Sequence, residues 1–128
     1  MAERPLTGNI ALVTGGSRGI GRAIAGRLAA EGARVVVTSR SEGTAAAVAA
    51  ELPGDGHVGA ACDVSDRASV DALIERIEAE VGPLDIVVNN AGVTEDNILV
   101  RLTDEAWETV VDTNLKGAFN VVRAVARG

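Results

Sequence analysis

The sequence predicts an α/β protein, a doubly wound parallel sheet of four strands in the order 3-2-1-4 with four helices. Three observations carry that expectation. Short apolar runs alternate strictly with helical patterns along the 128 residues, and such alternation favours a parallel sheet joined by right-handed crossovers. The first apolar run breaks directly into a glycine-rich turn and then a helix, Asn9-Ile-Ala-Leu-Val-Thr-Gly-Gly-Ser-Arg-Gly-Ile-Gly21. Aromatic content is very low, with one Trp, one Phe and no Tyr. The core must then be built from Val, Ile, Leu and Ala, the usual filling of a sheet covered on both faces.

Residues 1–8 read as a short flexible lead closed by Pro5 and Gly8. Strand 1 is Ile10 to Val13. The helix after it places Ile20, Ile24 and Leu28 four residues apart on one face and ends at Glu31-Gly32, with Gly32 in the left-handed capping position. Strand 2 runs from Arg34 to Thr38, and Ser39-Arg40-Ser41 is its exit loop. Ser41 caps a second helix through Ala45, Val48 and Leu52, which stops before Pro53-Gly54. Strand 3 is Val58 to Cys62, followed by Asp63-Val64-Ser65 with Ser65 as the expected N-cap. The third helix carries Val70, Leu73, Ile74, Ile77 and Val81 at helical spacing and ends at Gly82-Pro83. Strand 4 is Leu84 to Val88, closed by Asn89-Asn90-Ala91-Gly92. A loop from Val93 leads to Thr103, which caps a last helix over 104–127 through Trp107, Val111, Leu115, Ala118 and Val122.

Length fits one domain, residues 1–128. The formal net charge of −6 argues against nucleic acid or an anionic membrane as the main partner. The single Cys62 makes no internal disulfide and suits a reducing, cytoplasmic setting. The Met-Ala-Glu-Arg-Pro start has no apolar run behind a basic segment and does not read as a signal peptide, and no apolar run has the length of a membrane span. His57 reads as a loop residue without a metal role, and Cys62 as a small buried apolar residue rather than a nucleophile.

In the order 3-2-1-4 the ligand crevice lies where strands 1 and 4 diverge. The glycine-bearing loop after strand 1 and the asparagine-bearing loop after strand 4 meet there. The first is a phosphate cradle: glycines let an anion approach closely, and the helix N-terminus offers unpaired N–H groups and the positive end of its dipole. Its spacing is Gly-x-x-x-Gly-x-Gly rather than the general Gly-x-Gly-x-x-Gly fingerprint. Gly15, Gly19 and Gly21 form the cradle, with Ser17 and Ile20 beside them. No acidic residue follows strand 2 where an NAD site would hold the ribose 2′-hydroxyl. Arg40 with Arg18 instead suits a 2′-phosphate, so NADP is favoured over NAD. Either arginine taken alone is more commonly a solvated surface charge, and it is their joint position that points to the phosphate.

Thr14-Gly15-x-x-x-Gly19-x-Gly21, Asp63 after strand 3, Asn89-Asn90-Ala91-Gly92 after strand 4 and Asn114 in the last helix together resemble the short-chain dehydrogenase/reductases. Val93 to Leu102 with Asp112-Thr-Asn-Leu-Lys-Gly117 is similar to the 3-oxoacyl-(acyl-carrier-protein) reductase branch, which belongs to fatty acid biosynthesis. The resemblance implies a Rossmann-type fold and a nicotinamide cofactor, NADP(H). It implies that Asp63, with Val64 beside it, bonds the adenine amino group, although an Asp in a loop also bonds its own backbone. Asn89, Ala91 and Gly92 would line the floor beneath the adenosine ribose and diphosphate, with Asn89 also open to a role as a pin between strands. Arg101 resembles a residue that meets the acidic carrier protein, and an exposed Arg is also common.

The resemblance further implies a seven-stranded sheet with a catalytic Ser and a Tyr-x-x-x-Lys beyond the fourth helix. The chain contains no Tyr, and Asn114 is the one counterpart of the catalytic group. The expectation is half of the full family fold, a cofactor-binding half-domain inactive alone. Strand 84–88 would then be an open apolar edge, and helix 104–127 is apolar around much of its circumference. A homodimer through either or both follows. The acyl-carrier protein is a partner of the complete enzyme only. The alternatives are a catalytically silent assembly module that self-associates without cofactor, and a fragment complemented by a separate second half.

Overall fold

The computed structural model describes residues 4–16, 19–90, 120–121 and 124–125. Its element order is β1 (Ile10–Val13), α1 (Gly19–Ala30), β2 (Arg34–Ser39), α2 (Glu42–Glu51), β3 (Val58–Ala61), α3 (Arg67–Glu80) and β4 (Ile86–Val88). All pairings are parallel and the sheet order is β3-β2-β1-β4, as predicted. Of the four expected helices three lie wholly within the described residues. Most of helix 104–127 lies outside them, with 120, 121, 124 and 125 helical.

Alternate side chains of the central strands go to opposite faces. Ala11, Val13, Val35 and Val37 pack with Ala25 and Ala29 of α1 and Val48, Ala49 and Leu52 of α2. Leu12, Val36 and Ala60 pack with Val70, Leu73, Ile74 and Ile77 of α3 and with Val121 and Ala124. The sheet is thus covered on both sides, which is why β1 and β2 read as continuous apolar runs. On the α2 side the approach is very close: a Cβ on Gly59 would run into the backbone of Ala45 and Ala46.

Four local readings change. The stripe of α1 that is fully buried is Gly21, Ala25 and Ala29. Ile24 and Leu28 flank it half-buried, and Ile20 is 75% exposed. Small residues let α1 lie close on β1 and β2, so the larger side chains are displaced to its flanks. The N-cap of α3 is Asp66, which accepts from Ala68 N–H at 3.1 Å, and not Ser65. Residues 4–9 are tied down: Leu6 donates to the Glu31 carbonyl at 2.9 Å and packs on the α1–α2 core. The ladder of β4 starts at Ile86 rather than Leu84. Asp85 occupies the strand start, accepting Ile10 N–H on Oδ2 at 2.8 Å while its own N–H reaches Ile10 O at 2.9 Å. Gly32 has φ +103°, as its capping role requires.

His57 holds a position that sequence reasoning missed. Its Nδ1 accepts Val35 N–H at 3.0 Å, and its Nε2 lies 2.6 Å from the Pro53 carbonyl. Nε2 therefore carries the proton, and the ring closes the β2 ladder where strand β3 has not yet begun.

Candidate functional site

Three loops at the carboxyl ends of the strands form one rim. The turn after β1 is held from both sides. Towards β4, Thr14 N–H donates to Val88 O at 3.1 Å. The Thr14 hydroxyl, on a residue 1% exposed, donates to the same oxygen at 3.3 Å and accepts Asn90 N–H at 3.0 Å. Asn90 Nδ2 donates to Gly15 O at 3.1 Å. Towards β2, Gly15 N–H reaches Thr38 Oγ1 at 3.2 Å and Gly16 N–H reaches Thr38 O at 3.1 Å.

These bonds divide the work among the glycines. The Gly15 and Gly16 amides are consumed within the fold, so Gly15 shapes the cradle through its φ of +65° rather than by donating to a ligand. Gly19 has φ +61°, and among the described residues beyond its chain neighbours and its own helix backbone no atom lies within 4 Å of where a Cβ would stand. It begins α1, whose first-turn N–H groups lack helical partners. Gly21 is buried, and a Cβ there would strike the Asn90 amide and the Gly15 carbonyl. Its absence of a side chain lets α1 enter against the Asn90 clasp. Ile20, exposed beside Gly19, projects from the helix start. Ser17 and Arg18 lie outside the described residues.

The turn after β3 is built differently. Asp63 Oδ1 accepts both Ser65 N–H at 3.0 Å and the Ser65 hydroxyl at 2.6 Å. The hydroxyl bond, foremost, holds the Asp63 carboxyl below its usual range, with the nearby Arg40 guanidinium a smaller contribution in the same direction. Arg40 and Asp63, assigned separately to the adenosine end, thus share one neighbourhood and are both exposed. Oδ2 accepts no hydrogen bond among the described residues. The Val64 side chain is core, 6% exposed, so only its backbone can face a ligand. Cys62, beneath this turn, is buried, and burial pushes its thiol pKa up, as expected of an inert apolar residue.

Asn89 is exposed, and the pin between strands that it offered in sequence is made by its neighbour Asn90. Ala91, Gly92, Arg101 and Asn114 lie outside the described residues. Sequence reasoning also missed Thr38. Its signal was a Thr at the end of an otherwise apolar strand, buried to 1%. Among the described residues no group of three His, Cys, Asp or Glu is placed to hold a metal, and no helix is long and apolar enough to cross a membrane.

Glycines and a helix N-terminus lie between β1 and β4, where the strand order of the sheet reverses and open α/β sheets place their ligand crevice. The family model described as short chain dehydrogenase matches residues 9–128. The chain belongs to the short chain dehydrogenase family. Among similar dehydrogenases, the 3-oxoacyl-[acyl-carrier-protein] reductase FabG of Escherichia coli is 51% identical over 120 residues, covering 94% of this chain and 49% of that protein. FabG of Vibrio harveyi is 49% identical over 123 residues, 96% of this chain and 50% of that protein. The reductase MabA of Mycobacterium avium is 45% identical over 116 residues, 91% of this chain and 42% of that protein. The chain spans about half the length of the curated relatives it matches.

Proposed function

We propose that residues 1–128 form the dinucleotide-binding unit of an NADP(H)-dependent 3-oxoacyl-(acyl-carrier-protein) reductase. The observation that carries this reading is the clasp of Asn90 on Gly15, into which α1 fits only because Gly21 has no side chain. It fixes the helix start, where Gly19 leaves open space for a diphosphate. The residues suit the cofactor along its length: the first turn of α1 for the diphosphate with Ser17, Arg18 and Ile20, Arg40 for the 2′-phosphate, Asp63 and the Val64 backbone for adenine, and Asn89, Ala91 and Gly92 for the ribose floor. The bound nicotinamide supplies the hydride, and this chain binds and orients it. Asn114 is the one residue here that matches the family's catalytic group. Proton delivery by tyrosine falls outside these residues, which contain no Tyr. Identity to reductases that act on acyl-carrier-protein thioesters supports that substrate class for the complete protein, and a buried single thiol supports a reducing, cytoplasmic setting.

Calorimetric titration of the chain with NADP+ and with NAD+ tests the reading. Saturable binding with NADP+ preferred, and the preference lost in Arg40→Ala, is the expected result. No saturable heat up to millimolar nucleotide would favour the silent assembly module instead. We also infer self-association about a two-fold axis through strand 84–88, helix 104–127 or both. The support is β4, which among the described residues pairs only with β1 and keeps Ile86, Val87 and Val88 half-buried. Light scattering at micromolar concentration reads it, and a clean monomer removes it.

A further inference from the structure

The turn that presents Asp63 is held from beneath by two side chains of different origin. Ser69, in the first turn of α3, accepts Asp63 N–H at 3.0 Å. Asn120 comes from the helical residues beyond β4, far along the chain, and donates from Nδ2 to the Val64 carbonyl oxygen at 3.1 Å. It is 3% exposed, and its neighbour Val121 belongs to the apolar core. A buried amide in such a setting is retained only where it is bonded.

What that bond grips is a single rigid plate. The carbonyl of Val64 and the N–H of Ser65 belong to one planar peptide and point in opposite directions. Asn120 holds the oxygen side at 3.1 Å, and the nitrogen side donates to Asp63 Oδ1 at 3.0 Å. Rotation of the plate would break both bonds together. Polarisation along the pair also strengthens each bond. The peptide that donates to Asp63 Oδ1 is thus also held by an amide from a distant part of the chain.

We infer that Asn120 is a positioning residue for adenine recognition, acting on Asp63 through the Val64–Ser65 peptide. The inference rests on the NADP(H) reading above and adds a residue that touches no part of the nucleotide. It predicts that selectivity for the adenine amino group depends on Asn120, whereas grip on the diphosphate does not.

The test compares NADP+ with nicotinamide hypoxanthine dinucleotide phosphate, which carries an oxo group where adenine has its amino group. The wild-type chain should prefer NADP+ by about tenfold, the worth of one well-made polar contact. In Asn120→Leu, which removes the donor without burying a charge, the ratio should fall to near one while affinity for the hypoxanthine analogue is kept. A folded Asn120→Leu chain with the wild-type ratio overturns the inference, whatever its melting temperature. A second measurement needs no variant. The Asn120 side-chain amide resonances of the wild-type chain should shift on adding 2′,5′-ADP and stay in place with nicotinamide mononucleotide, and resonances indifferent to both also overturn it. Absence of any nucleotide binding by the wild-type chain is a separate result, and removes the NADP(H) reading along with this one.

Discussion

The turns after β1 and β3 stand on one rim with β2 between them, yet they are made by opposite means. The β1 turn offers backbone. Thr14 is turned inward, Gly15, Gly16, Gly19 and Gly21 carry no side chain, and what shapes this turn is where amides point and how closely α1 can approach. The β3 turn offers a carboxylate, held by a hydroxyl at 2.6 Å and backed by Ser69 and Asn120. A diphosphate is recognised by any ring of N–H donors of the right shape. A base edge needs a particular acceptor in a particular orientation. The difference shows why the first turn tolerates almost no added volume at Gly16 and Gly21, while the second should tolerate changes of shape and fail on changes of polarity.

Gly21→Val should be the most damaging single change. Its side chain must displace the Asn90 amide and the Gly15 carbonyl, an overpacking cost of about 3 kcal/mol, read by urea denaturation, with nucleotide binding lost. Asn90→Ala alone should cost about 1–2 kcal/mol through the lost bond to Gly15 O. Added to Gly21→Ala it should cost less than the sum, because the amide that the new methyl would strike is gone. If the two costs add, the clasp is not what excludes volume at position 21.

Asp63→Asn is the matching change at the other turn. It keeps the shape and one acceptor, so stability should move by less than about 0.5 kcal/mol, while NADP+ affinity falls about tenfold. A loss of stability comparable with that of Gly21→Val would mean that the two turns do not differ as argued. The smallest effect is the pH dependence of Ser65→Ala. The Asp63 carboxyl is held below its usual value in the folded chain, so its contribution is complete above about pH 4 and fades as pH falls through the folded value. The wild-type advantage in melting temperature should therefore be present at neutral pH and vanish in strong acid. An advantage that persists there would place the benefit of Ser65 elsewhere.

The two turns also differ in how far they could be read in advance. Strand order, the β1 boundaries, the Gly32 and Ser41 caps and the glycine turn after β1 follow from spacing, because glycine conformation and capping are decided within a few residues. The inward stripe of α1 did not follow. Periodicity favours the large Ile20, Ile24 and Leu28, but close packing on the sheet selected the small Gly21, Ala25 and Ala29. The choice of Asn90 over Asn89 as the pin depended on which of two adjacent asparagines faces Gly15. Thr38, His57 and Asn120 are ordinary residues in sequence and acquire their roles from partners 22 to 56 positions away.

By itself the sequence determined the alternation of strands and helices, the sheet order and the glycine-rich turn from β1 into α1. Each of these is written in local pattern, in runs of apolar residues and in glycines whose permitted angles do not depend on distant atoms. Only the tertiary structure decided that the Gly15 and Gly16 amides are consumed by Thr38, and which distant side-chain amide holds the peptide that donates to the Asp63 carboxylate. The reason is that a hydrogen bond between segments is specified by the meeting of two faces. Neither stretch of chain carries that meeting until the core brings them within 3 Å or so of each other.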